Sequence, residues 1–479
     1  MTEDKDLDEL ANAEEQIIEI ARRFGLDPFP VFFELVTSYK MYEDAAYGLP
    51  ARFNHWTRGK AFYRMKTQYD YGLSKIYEVI FNTNPAVAYL MEQNDLLQNK
   101  VVIAHVMGHS DFFKNNAYFQ HTSRRMIEKV GIHADRIHKY EFDHGEQEVE
   151  RFLDAVLSIE EHIDPNAFSR RRPDKQEEPA KPGSGPYDDL WDLEKRNSIF
   201  LEDDEEEEYF HKPRKFPPEP EKDILRFLAE HAPDLEEWQR DIIMIVREEM
   251  LYFLPQMQTK TLNEGWASYW HARTMREMEL TDAEAASFAQ MHAGVLAPSR
   301  THLNPYHLGY KILEDIEHRW DHPTKEEQER LGRKPGQGRA KLFEVRELEN
   351  DVSFLRNYLT KDLVADLDLY IYKKEGDEWV IVEKDWEKVR DSIVASMTNF
   401  GYPYLVIEDA DYHRNSELYL KHYFEGQELD LVYGEKTLQY VYQLWGRPVH
   451  LETLYDGRRV LLSYDGDKNQ RINLDKERG

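Results

Sequence analysis

Two histidines four residues apart form the sharpest chemical signal in the sequence. His105 and His109 occur in the run AHVMGHSD, which ends at Asp111. If this segment is helical, both imidazoles lie on one face and can converge on one metal ion. A His-x3-His pair has low specificity, and two hydrogen-bonded core histidines would give the same pattern. The spacing therefore raises the hypothesis of a metal site without deciding it.

A carboxylate inside an aromatic segment is the second signal. Glu264 lies near the start of the run NEGWASYWH, which ends at His271. Burying a carboxylate among tryptophans and a tyrosine is costly unless it is paired, protonated or bound to metal. Gly265 and Ala267 are small enough to let another helix approach. The alternative interpretation is a structural carboxylate that bonds a tyrosine or histidine, with His271 as a neighbouring group.

The two signals together resemble the zinc metallopeptidases in which one helix supplies two histidines and a later helix supplies a glutamate. Those enzymes read His-Glu-x-x-His, and the glutamate is the general base. Here Val106 occupies that position. Either a carboxylate from elsewhere is the base, or the site binds metal without hydrolysis, or no metal binds. Alternatively, Glu264 is itself the base, and His144 or His271 completes the metal ligands. The carboxylates from elsewhere that are considered as the base are Asp111, Glu141, Asp143 and Glu148.

Two further segments carry polar groups that could join such a site. His144 follows an acidic stretch and precedes a predicted helix. Tyr306 and His307 stand at another predicted helix start, where either could stabilise a developing oxyanion. Helix capping and core hydrogen bonding are the alternative roles for both segments.

The overall composition limits the classes of function. The 62 basic and 92 acidic residues give a formal charge of −30, which disfavours binding to nucleic acids and to anionic membranes. The chain has no cysteine, so a metal would need His and carboxylate ligands, such as those of zinc or another divalent ion. No signal-peptide core or apolar membrane span is evident, which predicts a cytoplasmic protein.

Changes of pattern along the chain predict its organisation. We expect an α+β protein with a large, mainly helical N-terminal domain, in which the signal helices could be zincin-like, and a smaller α+β C-terminal domain. Helices are predicted after Pro30 and over Trp386–Met397 and Glu435–Trp445. A long apolar-periodic stretch runs from Ala86 through Phe119, broken near Gln98-Asn99, with Asn84-Pro85 as a helix start. The expected segments are a first helical part (1–163), an acidic flexible insertion (164–222), a second helical part (223–360) and the C-terminal domain (361–479).

The sequence resembles the stage V sporulation protein R family, also called SpoVR-like proteins. The blocks that carry the resemblance are GLDPFP (25–30), RFNHW (52–56), HVMGHSDFFKNN (105–116), NEGWASYWH (263–271), residues 304–320 and LWGRPVHLET (444–453). They extend over nearly the whole chain outside the acidic insertion. The resemblance implies a bacterial protein linked to sporulation and to formation of the spore cortex.

Two functions from different classes follow. The first is a metal-dependent hydrolase of amide bonds in peptides or peptidoglycan precursors, with His105, His109 and Glu264 as metal ligands and Glu264, Asp111, His144 and Tyr306 as candidate catalytic groups. The second is a non-catalytic regulatory or scaffold protein with a structural His/Glu core, whose acidic insertion or C-terminal domain would bind a protein partner. A weaker third idea is a basic-peptide binder that uses the acidic run at 202–208.

Overall fold

The computed structural model describes residues 2–71, 78–166, 215–298, 302–375 and 378–476. These residues form two compact units, each built from two stretches of chain. The first unit combines Met1–Glu161 with Glu237–Pro403, and the second combines His162–Glu236 with Tyr404–Gly479. The boundaries of these two units differ from those of the four segments predicted from the sequence. The division into four segments remains a prediction. Most of the predicted acidic insertion, including the run at 202–208, lies outside the described residues.

Helices dominate the first unit, and the largest sheet belongs to the second. In chain order the helices are α1 (Thr2–Arg23), α2 (Ser38–Tyr47), α3 (Trp56–Asp70), α4 (Leu96–Asn115), α5 (Met126–His144), α6 (Glu146–Leu157), α7 (Ile224–His231), α8 (Glu237–Gln258), α9 (Lys260–Glu277), α10 (Asp282–Val295), α11 (Pro305–Asp321), α12 (Lys325–Leu331), α13 (Gly338–Leu348), α14 (Asp351–Tyr358), α15 (Lys361–Asp366), α16 (Trp386–Met397) and α17 (Leu431–Trp445). The strands are β1 (Val31–Val36), β2 (Glu78–Phe81), β3 (Ala86–Met91), β4 (Ile371–Glu375), β5 (Glu378–Glu383), β6 (Leu405–Tyr412), β7 (Glu417–His422), β8 (Val449–Tyr455), β9 (Arg458–Tyr464) and β10 (Asn469–Asn473). The α+β class with a mainly helical N-terminal part is confirmed.

The helix that carries both histidines is deeply buried in the first unit. Asp95 caps α4 in a reciprocal capping box with Gln98, which satisfies free amides at the helix start. Every residue from 102 to 113 is buried. A helix that is enclosed on all sides belongs in a core, and there its polar side chains need partners.

Small residues set the distance between this helix and its neighbours. A Cβ atom on Gly108 would lie only 2.7 Å from the Cα atom of Ala267, so α4 and α9 approach closely at that point. Gly265, also on α9, packs in the same way against the backbone of Gly309 on α11. The prediction that Gly265 and Ala267 permit close helix approach is confirmed. The three helices therefore hold their polar side chains within reach of one another.

The start of α9 is capped from a distant part of the chain. The Asp351 carboxylate accepts hydrogen bonds from the backbone amides of Thr261 at 2.8 Å and Leu262 at 2.9 Å. Both donors belong to the first turn of the helix, where amides have no partner within the helix itself. This contact fixes the end of α9 next to Glu264.

Two helix predictions were wrong in their first residues, which form strands of a small sheet in the first unit. The later residues of the same two stretches form helices α2 and α4, as predicted. Val31–Val36 pairs in parallel with Ala86–Met91, and Glu78–Phe81 pairs with the latter in antiparallel fashion. The Asn84-Pro85 peptide bond is cis and precedes a strand, so it does not start a helix. Apolar runs of only six residues have too few positions for a period to separate a strand from a helix.

The second unit contains a five-stranded sheet in the order β10-β9-β8-β7-β6. Neighbouring strands are antiparallel except β7 and β8, which run in parallel. Helix α17 connects those two strands, as a parallel pair requires a crossover. The α+β character expected for the C-terminal part of the chain is therefore confirmed.

Candidate metal centre

Four side chains from three elements of the first unit converge at one point. They are Glu78 at the start of β2, His105 and His109 on α4, and Glu264 on α9. One nitrogen or oxygen of each lies within 4.8 Å of the others. Both histidines are 4% exposed, whereas the two carboxylates are partly accessible. The group therefore has a buried imidazole side and a more open carboxylate side.

The distances within this group are short and similar. His105 Nε2 lies 3.3 Å from Glu78 Oε1 and 3.6 Å from Glu264 Oε2. His109 Nε2 lies 3.9 Å and 3.4 Å from the same two oxygens. Both imidazoles thus present their Nε2 atoms to the same pair of carboxylates.

The opposite ring nitrogens have separate partners that fix this orientation. His105 Nδ1 lies 2.7 Å from His271 Nδ1, and His109 Nδ1 lies 2.9 Å from Asn263 Oδ1. His271 continues through its Nε2 to His292 Nδ1 at 2.9 Å. Partners of this kind set the rotamer and tautomer of imidazoles that bind metals. His271 therefore acts on the group through His105, as expected for a neighbouring residue.

Two atoms of the group are buried without a hydrogen bond. Within the described ranges, neither His105 Nε2 nor Glu264 Oε2 has a hydrogen-bond partner. Unsatisfied buried polar atoms are costly, and they point to a missing ion or water. A cation between these atoms would satisfy both, so the residues fit a divalent metal.

The electrostatics keep the group charged even without a cation. Burial alone would raise the pKa of Glu264, but the His105 and His109 imidazoles outweigh burial and hold it well below its usual range. Burial opposes the charged form of His109, yet the Glu264 and Glu78 carboxylates raise its pKa to about 9. Glu264 is therefore an anion at neutral pH, the form in which a carboxylate binds metal.

Tyr306 is the one other sequence-predicted catalytic residue beside this group. It follows the helix N-cap Asn304, and its ring stacks on His105 with 6.1 Å between centroids. Burial and the nearby Glu264 carboxylate raise the pKa of Tyr306 well above its usual value. Its hydroxyl therefore keeps its proton and can act as a hydrogen-bond donor.

Comparison with known proteins shows the family to which the chain belongs. The family described as "SpoVR like protein" matches residues 4–402, and the one described as "SpoVR-like C-terminal domain" matches residues 403–456. The chain belongs to the SpoVR family. The "Uncharacterized protein YcgB" of Escherichia coli strain K12 is 30% identical over 473 residues, covering 91% of this chain and 90% of its own length. No solved structure matches.

Membership of the SpoVR family supports a sporulation-associated protein. All four converging side chains lie within the range that the first family description covers. Among the described residues, no helix is both long and apolar enough to span a bilayer.

Asp111 of this SpoVR-family chain lies on the same helix as the histidines but has other partners. Its carboxylate pairs with Arg346 at 2.9 and 3.0 Å and accepts from Asp27 N at 2.7 Å and Trp266 Nε1 at 2.9 Å. The side chain is completely buried. These contacts favour a structural role for Asp111, because its oxygens are already occupied by donors.

The remaining sequence candidates lie on α5 and α6. His144 ends α5, is exposed, and stacks on Trp238 with 4.7 Å between ring centroids. Glu141 bonds the exposed His138, while Asp143 and Glu148 are exposed. Glu141 and Glu148 have partners on their own helices and His144 packs on α8, and none of the four belongs to the converging group.

Glu78 is the member of the group that sequence reasoning missed. It precedes the apolar residues of a four-residue strand, EVIF, in a region without a recognisable motif. A carboxylate opening a buried apolar run was a signal of the same kind as Glu264. The short strand gave too few residues for that signal to stand out.

Proposed function

We propose that this SpoVR-family protein is a cytoplasmic, metal-dependent amide hydrolase that acts on peptides or peptidoglycan precursors. The ligands of zinc or another divalent metal would be His105, His109 and Glu264. One observation carries the proposal: two imidazoles and two carboxylates converge, and a nitrogen and an oxygen among them are buried without hydrogen bonds.

The spacing of the group supports a metal site. Ligands around a tetrahedral zinc ion, with bonds of about 2.0–2.1 Å, lie roughly 3.3 Å from one another. The four nitrogen–oxygen separations here range from 3.3 to 3.9 Å. A hydrogen-bonded group would be expected closer to the ordinary 2.7–3.2 Å. The arrangement therefore needs only a small contraction to hold a cation.

A bound divalent ion would supply Lewis-acid polarisation of a substrate carbonyl oxygen. The protein's own groups then have separable roles. Glu78 is assigned as general base in place of the glutamate absent at Val106, because it is the carboxylate that remains once His105, His109 and Glu264 are taken as ligands. Tyr306 would donate a hydrogen bond to the oxygen that gains charge in the transition state. His271 and Asn263 would hold the two imidazoles in place.

The choice of substrate rests on two supports of different kind. The helix layout resembles zinc metallopeptidases, which favours an amide bond over an ester or phosphate. The family description links the chain to sporulation, and the spore cortex is made of peptidoglycan. Peptides that carry cell-wall cross-linking residues are therefore the first substrates to try.

Two conservative variants separate the roles of the carboxylates. Glu78→Gln should keep the metal and lose hydrolysis of a cell-wall peptide by at least about 100-fold, as expected for a general base. Glu264→Gln should lose both metal and hydrolysis, because it removes a charged ligand. Glu141→Gln, a carboxylate outside the group, is the matched control and should change neither. Metal content is measured by elemental analysis and hydrolysis by mass spectrometry.

The outcomes of this experiment are distinct. Loss of metal in both variants would favour a closed four-ligand structural site over a catalytic one. Full activity in Glu78→Gln would overturn its role as base. The regulatory or scaffold alternative is favoured by buried Val106 at the usual base position. A folded wild type without bound metal, together with normal sporulation of a strain that carries His105→Ala, would establish that alternative.

A further inference from the structure

A second group of potential ligands lies in the unit formed by His162–Glu236 and Tyr404–Gly479. His413, Glu417 and His450 each offer one atom within 4.8 Å of the others. His413 Nδ1 and His450 Nε2 both lie 3.0 Å from Glu417 Oε2. Two imidazoles therefore face one carboxylate oxygen, a donor set that suits a transition-metal ion.

Strand pairing brings these three residues together. His413 follows β6, Glu417 begins β7, and His450 lies on β8, next to β7 in the sheet. The turn between β6 and β7 holds His413 and Arg414 in the left-handed region, with φ angles of 56° and 58°. Residues other than glycine are uncommon there. The turn thus accepts an unfavourable backbone conformation that places His413 beside Glu417.

A separate contact orients the histidine on the sheet. His450 Nδ1 lies 2.8 Å from Ser463 Oγ, on the neighbouring strand β9. The Nε2 atom is consequently directed at Glu417. The Tyr412 ring packs against both histidines, with centroids 3.8 Å from His413 and 5.1 Å from His450. The Ser463 contact and the Tyr412 ring thus restrict the orientations of the two histidines.

The three side chains differ in exposure in a way that leaves one side open. The His450 and Glu417 side chains are 12% and 15% exposed, whereas that of His413 is 58% exposed. Three protein ligands with an accessible side leave room for water or a small ligand in the remaining coordination positions.

We propose that His413, Glu417 and His450 form a second site for a divalent transition-metal ion of the zinc type, separate from the group around Glu264. The chain has no cysteine, so histidine and carboxylate are the strongest donors available to it. Both 3.0 Å separations also fall within the ordinary hydrogen-bond range, so an imidazole–carboxylate hydrogen-bond network is the competing description of this group. The metal site and the hydrogen-bond network differ in one measurable respect, because only the metal site binds a metal ion with defined stoichiometry.

Zinc binding by the full-length chain tests the proposal, measured by equilibrium dialysis and elemental analysis. His413→Ala and His450→Ala should each bind one equivalent less than the wild type. His138→Ala is the matched control, because it removes an exposed histidine that pairs with Glu141 at 3.1 Å and belongs to neither group of potential ligands found among the described residues. The control should retain the wild-type stoichiometry. Circular dichroism establishes that each variant is folded.

Two further variants keep the test decisive if an alanine variant misfolds. Glu417→Gln preserves the shape of the ligand and should also lose one equivalent. Ser463→Ala should keep the stoichiometry but weaken zinc binding by about 10–100-fold, the usual effect of removing a group that orients a ligand. Unchanged zinc content and affinity in folded Glu417→Gln would overturn the second site.

The same experiment separates this site from the one around Glu264. One equivalent lost through His105→Ala and another through His413→Ala would establish two independent sites. Zinc that is lost with His413→Ala but unaffected by His105→Ala would support the second site and contradict the proposed hydrolase centre. Zinc that is insensitive to both His413→Ala and His450→Ala would overturn the second site alone.

Discussion

Carboxylates on or near α4 fall into two groups according to their partners. Asp111 is enclosed by Arg346 and by backbone and indole donors, so its charge is balanced within the core. Glu78 and Glu264 instead face imidazoles and one another at longer distances. The difference in partners, more than residue type, separates a structural carboxylate from candidate metal ligands.

The structural role of Asp111 predicts a large loss of stability on truncation. Asp111→Ala would leave Arg346 charged and largely buried without its partner, which costs about 3–5 kcal/mol. Chemical denaturation of the purified protein measures the change. Glu128→Ala is the control, because it breaks an exposed pair with Arg125 and should have only a small effect. A comparably small effect in Asp111→Ala would contradict the structural assignment.

At the residue scale the sequence predicted much of the first site. Two local features could be recognised without a structure: the spacing of His105 and His109, and the aromatic residues around Glu264. Glu78 could not be recognised in this way, because its strand is short. The Asp111–Arg346 pair was also beyond reach, since its members are separated by 235 positions and no local pattern links them.

The contact between α4 and α9 makes the site depend on one glycine. Gly108→Ala would place a methyl group against the α9 backbone at Ala267 and force the helices apart. We expect a loss of about 1–3 kcal/mol in the free energy of unfolding, together with weaker metal binding. Thermal unfolding and zinc titration of the same variant measure the two effects.

Gly131 provides the matched control on another helix. A Cβ atom there would meet nothing within 4 Å, so Gly131→Ala should raise stability by about 0.5–1 kcal/mol and leave metal binding unchanged. If Gly108→Ala behaved like Gly131→Ala in both measurements, the close helix contact could not be what positions the ligands.

The cap on α9 predicts a dependence of stability on pH. Burial raises the pKa of Asp351 to about 7 from its ordinary 3.8, although the amides of Thr261 and Leu262 act in the opposite direction. Because the pKa is higher in the folded state, the protonated form stabilises the fold. That contribution is fully present below pH 3.8, the ordinary pKa, and it is lost as the pH rises through about 7, the pKa in the folded state.

Asp351→Asn tests this dependence, because asparagine keeps an acceptor oxygen but cannot ionise. The stability of the wild type relative to the variant should fall between pH 5 and pH 8. Thermal unfolding of both proteins at the two pH values gives the difference directly. A difference that does not change with pH would show that Asp351 stays ionised throughout.

At the scale of elements, long segments were easier to predict than short ones. Helix α16 and the start of α11 follow clear apolar periods and capping residues. Strands β1 and β3 were mistaken for helices because each has six residues and is partly or fully enclosed. The pairing that identifies them as strands exists only between distant parts of the chain.

At the scale of the whole molecule, too, contacts between distant parts of the chain limit what can be predicted from the sequence. Each compact unit joins two stretches that are far apart in sequence, and composition alone does not reveal which stretches join. Ligands that come from β2, α4 and α9 are likewise assembled only by folding. Metal binding should therefore be coupled to the stability of the folded state.

This coupling predicts that zinc stabilises the protein against heat. A ligand at 100 times its dissociation constant adds about 2.7 kcal/mol to the free energy of unfolding. The wild type should show a higher melting temperature in zinc than in a chelator, and a His105→Ala, His109→Ala double variant should show a smaller rise. An equal rise in both proteins would place the effect outside the group around Glu264.

Elemental analysis of the purified protein tests the central claim most directly. The wild type, prepared without chelators, is compared with His105→Ala, His109→Ala and Glu264→Ala. We predict near-stoichiometric zinc or another divalent metal in the wild type and one equivalent less in each folded variant. A folded wild type with no bound metal, or variants that retain the full amount, would contradict the account.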